Sequence, residues 1–457
     1  MNIPEERLKD WGLELSQKGE LITGGCNTVD LANLYGTPLH VVNETGLAKT
    51  AHDFLSTIRK RYPGKISAHY AFKCNPVPGV IRIIKNAGFC AEIMSEFELL
   101  LALKLGYKGE EIIVNGPHKT DRLISQCLEH KVRLINVDSI FELERINSIC
   151  HSQKESTRIL FRINPDFIPF GMNRGSAAAS RRGSPFGLDM LGGEVVRALE
   201  MLKKMPSISL KGFHIHIGSG IQNPVDYKKA ILKLGKLISL AEKEGHAIEI
   251  LDVGGGLGVS GSREMTTYEL LKYQGFDILP KLKSQNNKIT FSHFADSVIN
   301  TVLKLFANRT FPELIFEPGR CITSPNQLLL LKVHQVKNRE KVMKWLVMDA
   351  GIGTLTMPTY YEYHEVLLCN DVRRRVSSKV TISGPGCFSA DVVYRNKPMP
   401  EISPGEILAI LDSGAYFTSW ESSFGFPRPA IISVIDGKHN LLRRRETIDH
   451  MMALDFF

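Results

Sequence analysis

Eight short apolar runs, separated by segments of helical periodicity, lie between residues 66 and 316. The runs cover residues 66–72, 89–94, 112–115, 133–137, 158–163, 210–216, 248–253 and 314–316. In the segments between them, apolar residues recur at helical spacing, for example over residues 77–87, 96–105, 120–129 and 139–150. Alternation of strands and helices is typical of a parallel sheet, and eight such units predict a closed (β/α)8 barrel.

Polar or glycine-rich residues follow nearly every one of these predicted strands. They are Lys73, Ser95, Asn115, Asp138, Asn164, His216, residues 254–256 and Glu317. Barrel enzymes build their active sites at the face where the carboxyl ends of the strands meet. The pattern therefore supports the barrel and predicts a functional site at this face.

The pattern changes after about residue 322, where apolar runs are separated by Pro and Gly turns. These runs cover residues 327–336, 345–349, 379–383, 407–412 and 430–435. They predict a mostly antiparallel β domain, to which the early runs at residues 19–22 and 39–43 could add strands. We therefore expect a barrel over residues 46–320 and a β domain formed by residues 1–45 and 321–457.

Two connections in the predicted barrel are long. Residues 165–209 contain a stretch rich in Gly, Ala, Ser and Arg, which predicts a mobile surface loop. Residues 257–312 carry helical segments, and we expect them to help close the site.

Composition excludes several classes of protein. The first ten residues lack the apolar core of a secretory signal, and no stretch approaches the ~20 apolar residues that span a bilayer. The eight cysteines include no CxxC pair, which predicts reduced thiols in the cytoplasm. The formal net charge is +9, but the short basic clusters lack interleaved aromatic residues, so we expect no nucleic-acid partner.

Lys73 ends the first predicted strand. A lysine is rarely buried without a partner, and the plain alternative is a surface lysine just past the strand. A buried lysine has a lowered pKa, and its neutral amine can form a Schiff base with an aldehyde cofactor. Three downstream segments favour this second interpretation, namely residues 214–220, 254–258 and 317–320.

These downstream segments predict a site for a phosphorylated aldehyde cofactor. The glycine turn at residues 254–258 offers backbone N–H groups to a phosphate, and Arg320 could add a charged fork. His216 could stack on a flat ring. Glu317 would be satisfied by a protonated pyridine nitrogen, a pairing that keeps the ring a strong electron sink.

The chain resembles the barrel-type (fold type III) pyridoxal-phosphate decarboxylases, the family of diaminopimelate and ornithine decarboxylases. The resemblance extends over about residues 30–435 and rests on nine motifs in combination. They are AFKCNP (71–76), NVDSIFELERI (136–146), RINPD (162–166), HIHIGSG (214–220), DVGGGLG (252–258), EPGR (317–320), YYEYHEV (360–366), GPGCFSAD (384–391) and DSGAYF (412–417). It implies an alanine-racemase-like fold in which the barrel is joined to the β domain.

The resemblance also implies roles for individual residues. Lys73 would carry pyridoxal 5'-phosphate, His216 would stack on its ring and Glu317 would face the ring nitrogen. The phosphate or its neighbourhood would be surrounded by Ser219, Gly255, Gly256, Gly319, Arg320 and Tyr416. A head-to-tail homodimer is implied, in which Cys387 protonates the carbanion in the partner subunit's site. Related racemases place arginine at the ring nitrogen, so Glu317 favours decarboxylation over racemisation.

The expected substrate pocket departs from the family pattern. Phe388 follows Cys387 where diaminopimelate decarboxylases carry glutamate and ornithine decarboxylases aspartate. Met357 stands where diaminopimelate enzymes place an arginine, whereas Tyr361 is retained; Arg320 and Tyr416 would complete the pocket. Burying a charged substrate end against Phe388 and Met357 would cost several kcal/mol.

These departures predict an α-decarboxylase of an amino acid or of an amino-acid conjugate, including a carrier-bound one, in siderophore- or antibiotic-type biosynthesis. The alternative is a diaminopimelate decarboxylase in which loop arginines such as Arg174, Arg181 or Arg182 replace the missing contacts. A racemase remains open. So does a catalytically silent homologue that binds a protein partner, although the presence of Lys73 and Cys387 argues against it.

Overall fold

Eight parallel strands close into a barrel in the computed structural model, which describes residues 4–172, 178–280 and 289–456. Each strand pairs with the next along the chain, and the eighth pairs with the first. The strands are Ile66–Ala71, Cys90–Ile93, Ile112–Val114, Leu134–Val137, Thr157–Asn164, Ile208–His214, Ile250–Asp252 and Glu313–Phe316. The predicted (β/α)8 barrel is confirmed.

Helices lie before and between the strands, and most of them pack around the barrel, whereas Tyr273 of the helix Thr267–Phe276 packs into the core of the β domain. The helices are Glu44–Arg59, Pro78–Asn86, Glu96–Lys104, Asp121–Glu129, Ile140–Gln153, Glu194–Leu202, Val225–Lys233, Gly235–Lys243, Thr267–Phe276 and Phe291–Leu305. Several begin at a hydroxyl cap: the side chain of Ser95 accepts from the backbone N–H of Glu98, and that of Ser139 from Glu142. Ser95 therefore serves as a helix cap. None of the helices in the described ranges is long and apolar enough to cross a membrane.

The β domain is built on a nine-stranded sheet. Six of its pairings are antiparallel and two are parallel, so the predicted mostly antiparallel domain is confirmed. The strands are Leu39–Asn43, Gln327–Arg339, Met343–Met348, Val366–Leu368, Val376–Ser383, Val392–Pro400, Ile407–Ile410, Ala430–Ile435 and Lys438–Arg443.

The two early apolar runs belong to different sheets. Leu39–Asn43 joins the large sheet between Gln327–Arg339 and Ala430–Ile435, as expected. The run at residues 19–22 does not join it, because Leu21–Thr23 pairs locally in a separate sheet. The other strands of that small sheet are Leu13–Leu15 and Cys26–Asn27.

The described parts of the two long connections contain regular secondary structure. After the fifth barrel strand, Leu188–Asp189 pairs with Ile163 and Asn164, and the helix Glu194–Leu202 follows. This part of residues 165–209 therefore forms a strand and a helix, whereas residues 173–177 of the expected mobile loop lie outside the described residues. In the other connection, Ser262–Glu264 pairs with Glu362–His364 and so joins the barrel to the β domain.

The barrel interior is polar at its carboxyl end. Each strand, or the residue directly after it, supplies a buried or nearly buried polar side chain: His69, Glu92, Asn115, Asn136, Arg162, His214, Asp252 and Glu317. Buried polar groups are costly unless they are paired. Some atoms of this ring, such as His214 Nδ1 and Asp252 Oδ2, have no hydrogen-bond partner among the described residues. Four members of the ring line the cavity described below, namely Asn115, Arg162, His214 and Glu317.

A buried ion pair holds the loop after the third strand. The side-chain nitrogen of Lys119 donates to the backbone oxygens of Gly116 and Asn136, both at 2.7 Å, and to Glu142 at 2.9 Å. Both side chains are almost fully buried. Lys119 thus fixes Gly116 and its neighbours, which line the cavity described below.

Replacing Glu142 by glutamine should destabilise the fold by about 3–5 kcal/mol, because it leaves the Lys119 ammonium buried without its countercharge. Urea unfolding measures the change. The exposed pair Lys131–Glu155 supplies the control: Glu155→Gln should cost less than about 1 kcal/mol. Equal effects of the two substitutions would contradict the prediction.

Candidate active site

One cavity of about 310 Å³ opens at the carboxyl ends of the barrel strands. Its volume is at the lower end of the ~300–1,000 Å³ typical of small-molecule sites. Seven of the predicted site residues line it: Lys73, His216, Ser219, Glu317, Arg320, Tyr361 and Tyr416. The cavity therefore lies where the strand-end pattern placed a site.

Lys73 lies in a short turn, Phe72–Cys74, directly after the first strand. Its side-chain nitrogen donates to the carboxylate of Glu92 at 2.5 Å. Glu92 is fully buried on the second strand, and its other oxygen has no hydrogen-bond partner in the described part of the chain. The sequence analysis missed Glu92, although a carboxylate inside the apolar run 89–94 was a visible signal.

The Glu92 contact reverses the expected pKa of Lys73. Burial lowers the pKa of Lys73, but the negative charges of Glu92 and Glu317 outweigh burial and hold the pKa above its ordinary value. The expectation of a lowered pKa is therefore wrong for the free chain. The Lys73 amine is charged at neutral pH and must lose a proton before it can bond to an aldehyde.

Glu317 is held by a chain of amides. Its Oε1 accepts from the Asn115 amide at 2.6 Å, and the Asn115 oxygen accepts from the Asn136 amide at 2.9 Å. Because the Asn115 oxygen is occupied, its NH2 group is directed to Glu317. The other carboxylate oxygen of Glu317 lies 3.4 Å from Nε2 of His214.

The carboxyl groups of Asp252 and Glu317 have opposite protonation states. Together with His214 they form a buried cluster whose polar atoms lie within 4.8 Å of one another. Burial and the charge of Glu317 raise the pKa of Asp252 well above its ordinary value. Burial would also raise the pKa of Glu317, but His214 and Lys73 lower it below its usual range. Glu317 is therefore the ionised member and Asp252 the neutral one.

His216 is neutral at physiological pH. Burial and the nearby charge of Arg162 lower its pKa to about 3. Its Nδ1 accepts from the backbone N–H of Gly255 at 3.4 Å. A neutral imidazole held in this way can pack against a flat ring without bringing a second positive charge into the cavity.

The glycine turn after the seventh strand is required by close packing. A Cβ on Gly255 would lie 2.0 Å from the Glu317 carbonyl oxygen, and one on Gly256 would lie 1.8 Å from that of Gly218. Gly319 likewise packs against Cys74. Only glycine lets these loops run side by side. None of the three glycines lines the cavity, and their contact with a phosphate remains a prediction.

The two terminal nitrogens of Arg320 are not available to the cavity. Its two terminal nitrogens donate to Glu362 of the β domain, at 2.7 and 3.1 Å, and its Nε donates to Ser219 at 3.4 Å. Burial alone would raise the pKa of Glu362, but Arg320 lowers it to about 2. The expected charged fork is therefore taken up by an internal ion pair, and only its Nε edge faces Ser219.

Tyr416 adopts a strained backbone conformation beside Lys73. Its φ of 67° lies in the left-handed region, which is uncommon for a bulky residue. Its backbone N–H donates to the Cys74 carbonyl at 2.8 Å, and its ring lies 5.1 Å from the Arg320 guanidinium. The contact with Cys74 ties the β domain to the turn that carries Lys73.

Arg162 and Trp420 are among the cavity residues that the sequence analysis missed. Arg162 donates to Asp138 at 3.3 Å, and its guanidinium lies 4.5 Å from the centre of the Phe186 ring. Trp420 lines the cavity next to Tyr416. The arginine opens the RINPD motif at a strand end, which was a usable signal; nothing local marked the tryptophan.

Comparisons with known proteins agree with this geometry. Residues 49–324 match the family model "Pyridoxal-dependent decarboxylase, pyridoxal binding domain". The chain belongs to this family. It is 30% identical to the diaminopimelate decarboxylase of Methanocaldococcus jannaschii over 442 residues, 96% of this chain and 95% of that protein. The corresponding enzyme of Methanothermobacter thermautotrophicus is 31% identical over 444 residues, 96% of each chain.

Solved structures give the same result for the fold. The crystal structure of the M. jannaschii enzyme superposes with a TM-score of 0.85 at 28% identity, covering 98% of this decarboxylase and 99% of that chain. A second crystal structure of the same enzyme, in co-complex with L-lysine, also has a TM-score of 0.85, at 28% identity, and covers 97% and 98% of the two chains.

This pyridoxal-dependent decarboxylase uses pyridoxal 5'-phosphate, and its cavity fits that cofactor. The cavity has a reactive amine in Lys73, an ionised carboxylate in Glu317 and a neutral imidazole in His216. Ser219 and the Nε edge of Arg320 lie on the same wall. The individual roles of these residues remain predictions.

Several predicted residues lie elsewhere. Cys387 and Phe388 do not line the cavity; both are exposed, and the Phe388 ring packs against Phe424. Arg181 and Arg182 do not line it either, and Arg182 pairs with Asp189. The side chain of Met357 and all of Arg174 fall outside the described residues.

Replacing Glu92 by glutamine should let the protein bind pyridoxal 5'-phosphate at lower pH. Loss of the carboxylate charge lowers the pKa of Lys73, so the neutral amine that bonds to the aldehyde is present at lower pH. Absorbance titration of the cofactor-free protein between pH 6 and 10 measures this shift. Glu129→Gln, a substitution of an exposed glutamate, should leave the pH profile unchanged; an unchanged profile in Glu92→Gln as well would contradict the prediction.

Proposed function

We propose that this decarboxylase removes one carboxylate of diaminopimelate and so forms lysine. The support is the agreement of two observations: Lys73, Glu317 and Tyr361 share one cavity, and relatives aligned over nearly the whole chain are diaminopimelate decarboxylases. A structural neighbour at 28% identity was solved with L-lysine. These comparisons favour diaminopimelate over the siderophore- or antibiotic-type substrate expected from the sequence.

The residues divide the chemical work. Bound pyridoxal 5'-phosphate supplies the electron sink for the pair left by departing carbon dioxide. Lys73 would hold the cofactor through its aldehyde carbon and would give way there to the substrate amine. Glu317, ionised and oriented by Asn115, would keep a proton at the ring nitrogen. His216 would pack against the ring face and orient it.

The returning proton is assigned to Cys387 of a second subunit in a homodimer. Cys387 is the one exposed cysteine of the eight, and it lies at the tip of the hairpin between Val376–Ser383 and Val392–Pro400. It does not line the cavity of its own chain. Nearby exposed rings, including Phe388 and Phe424, provide an apolar surface that a partner subunit would cover. We also propose that the protein is located in the cytoplasm.

Replacing Glu317 by glutamine should slow carbon dioxide release on the order of 10²-fold, because a neutral amide no longer favours the ring-nitrogen proton. Asp252→Asn is the matched control. Asp252 is already neutral, so its conversion to an amide should change the rate only a few-fold. Cofactor absorbance in both variants checks that binding persists. Equal losses in the two variants would contradict the assignment of the charge to Glu317.

A second candidate substrate has an uncharged distal group, such as an amino acid that carries an acyl group or is bound to a carrier. The supporting observation is that every charged side chain known to line the cavity is already held by another side chain: Lys73 by Glu92, Arg162 by Asp138, Arg320 by Glu362 and Glu317 by Asn115. Phe388 also replaces the family's acidic residue. A charged distal group would then lack a partner from these residues.

Substrate tests separate the two candidates. Purified holoenzyme is given separate stereoisomers of diaminopimelate, and the same compounds acylated on the distal amine, while carbon dioxide and lysine are measured. Lysine formation by the natural enzyme supports diaminopimelate. Release of carbon dioxide from the acylated compounds alone would overturn the diaminopimelate proposal and support the second candidate.

Variants that restore the family's charged residues at positions 388 and 357 extend this test. If diaminopimelate is a poor substrate, the double variant Phe388→Glu, Met357→Arg should raise its kcat/KM by supplying both charged contacts. Phe424→Glu is the matched control, since Phe424 is equally exposed and contacts Phe388. An equal gain from Phe424→Glu would show that surface charge, and not the pocket, is responsible.

A further inference from the structure

Asp391 is a buried carboxylate at the base of the loop that carries Cys387. The loop spans residues 384–391 and connects the antiparallel strands Val376–Ser383 and Val392–Pro400. Only 3% of Asp391 is exposed. Its backbone also closes the loop, because its carbonyl accepts from the Gly384 N–H at 3.0 Å and its N–H donates to the Phe388 carbonyl at 2.9 Å.

The Asp391 carboxylate ties two loops together. One oxygen accepts from the backbone N–H of Gly386, directly before Cys387, at 2.8 Å. The other accepts from the N–H of Ile352 at 2.7 Å. Ile352 lies in the turn after the strand Met343–Met348, which runs parallel to Val376–Ser383. The loop tip is thus anchored to a neighbouring loop at the same end of the sheet.

Three glycines make room for this carboxylate. A Cβ on Gly351 would lie 2.0 Å from an Asp391 oxygen, one on Gly384 would lie 2.3 Å away, and one on Gly386 would lie 2.7 Å away. Any side chain at these positions would push the carboxylate off its two N–H donors. The close fit shows that the local backbone is shaped around Asp391.

No cation accompanies Asp391 among the ion pairs found in residues 4–172, 178–280 and 289–456. A buried carboxylate without a countercharge is expensive, and a well-packed apolar residue would satisfy simple folding at lower cost. What the carboxylate supplies, and an apolar side chain cannot, is a pair of directed bonds between the two loops. This specificity points to a role in placing the loop tip.

We propose that Asp391 is a positioning residue that holds Cys387 at the geometry from which it protonates the substrate. The proposal rests on the role of Cys387 given under the proposed function. Misplacement by about 1 Å can cost as much as 10²-fold in rate. Loss of the two loop bonds should therefore act on the protonation step and leave the cofactor site of Lys73 and Glu317 intact.

Product analysis of the holoenzyme provides the first test. When the proton is misdirected, carbon dioxide still leaves, the substrate nitrogen stays on the cofactor as pyridoxamine phosphate, and water releases the remaining skeleton as an aldehyde. Asp391→Asn replaces one acceptor oxygen by an NH2 group that would face an N–H. It should lower kcat about 10- to 100-fold and raise the aldehyde share, with little change in cofactor absorbance before substrate is added.

A double-mutant cycle shows whether Asp391 acts through Cys387. If it does, Asp391→Asn combined with Cys387→Ala should be no slower than Cys387→Ala alone. Additive losses, or a natural kcat and product ratio in Asp391→Asn, would overturn the proposal. Asp449→Asn, a change at an exposed aspartate outside these loops, should leave both quantities unchanged.

Alkylation of Cys387 tests the loop without relying on catalysis. Iodoacetamide labelling followed by peptide mass spectrometry should show faster modification of Cys387 in Asp391→Asn than in the natural protein or in Asp449→Asn. Equal rates would overturn the positioning role. If no amino acid releases carbon dioxide, the proposed function fails, and the labelling result still decides whether Asp391 holds the loop.

Discussion

The buried charges at the carboxyl end of the barrel are the constraint on which the site depends. Each strand brings a polar side chain into a region with little water, where an unpaired charge is costly. Three of these charges form specific ion pairs: Lys73 with Glu92, Arg320 with Glu362 and Arg162 with Asp138. These pairings determine which groups remain available to a cofactor or substrate.

The carboxyl groups near the cavity have different tasks because their surroundings differ. Glu317 stays ionised beside His214 and receives an amide hydrogen from Asn115, whereas burial keeps Asp252 neutral. Glu92 is committed to Lys73. The cavity therefore has one ionised carboxylate in Glu317, and a second carboxylate, that of Glu92, lies behind the Lys73 amine.

The β domain takes part in the site as well as covering it. Glu362 binds Arg320, and the backbone of Tyr416 binds the turn that carries Lys73. Ser262–Glu264 extends from the barrel to pair with Glu362–His364. Because these contacts cross between the barrel and the β domain, movement of the β domain would disturb both Arg320 and Lys73.

The local pattern of residues was sufficient to predict the eight barrel strands and the placement of Lys73, His216 and Glu317 at their ends. Strand and helix periodicities are local properties, and the carboxyl ends of parallel strands necessarily meet at one face. The family motifs added the cofactor.

The sequence did not reveal the raised pKa of Lys73 or the pairing of the Arg320 guanidinium with Glu362. Glu92 lies 19 residues from Lys73 and Glu362 lies 42 from Arg320, and only folding brings each pair together. Electrostatic energies depend on distance in space and on burial, so the tertiary structure alone decided which charges are paired and which face the cavity.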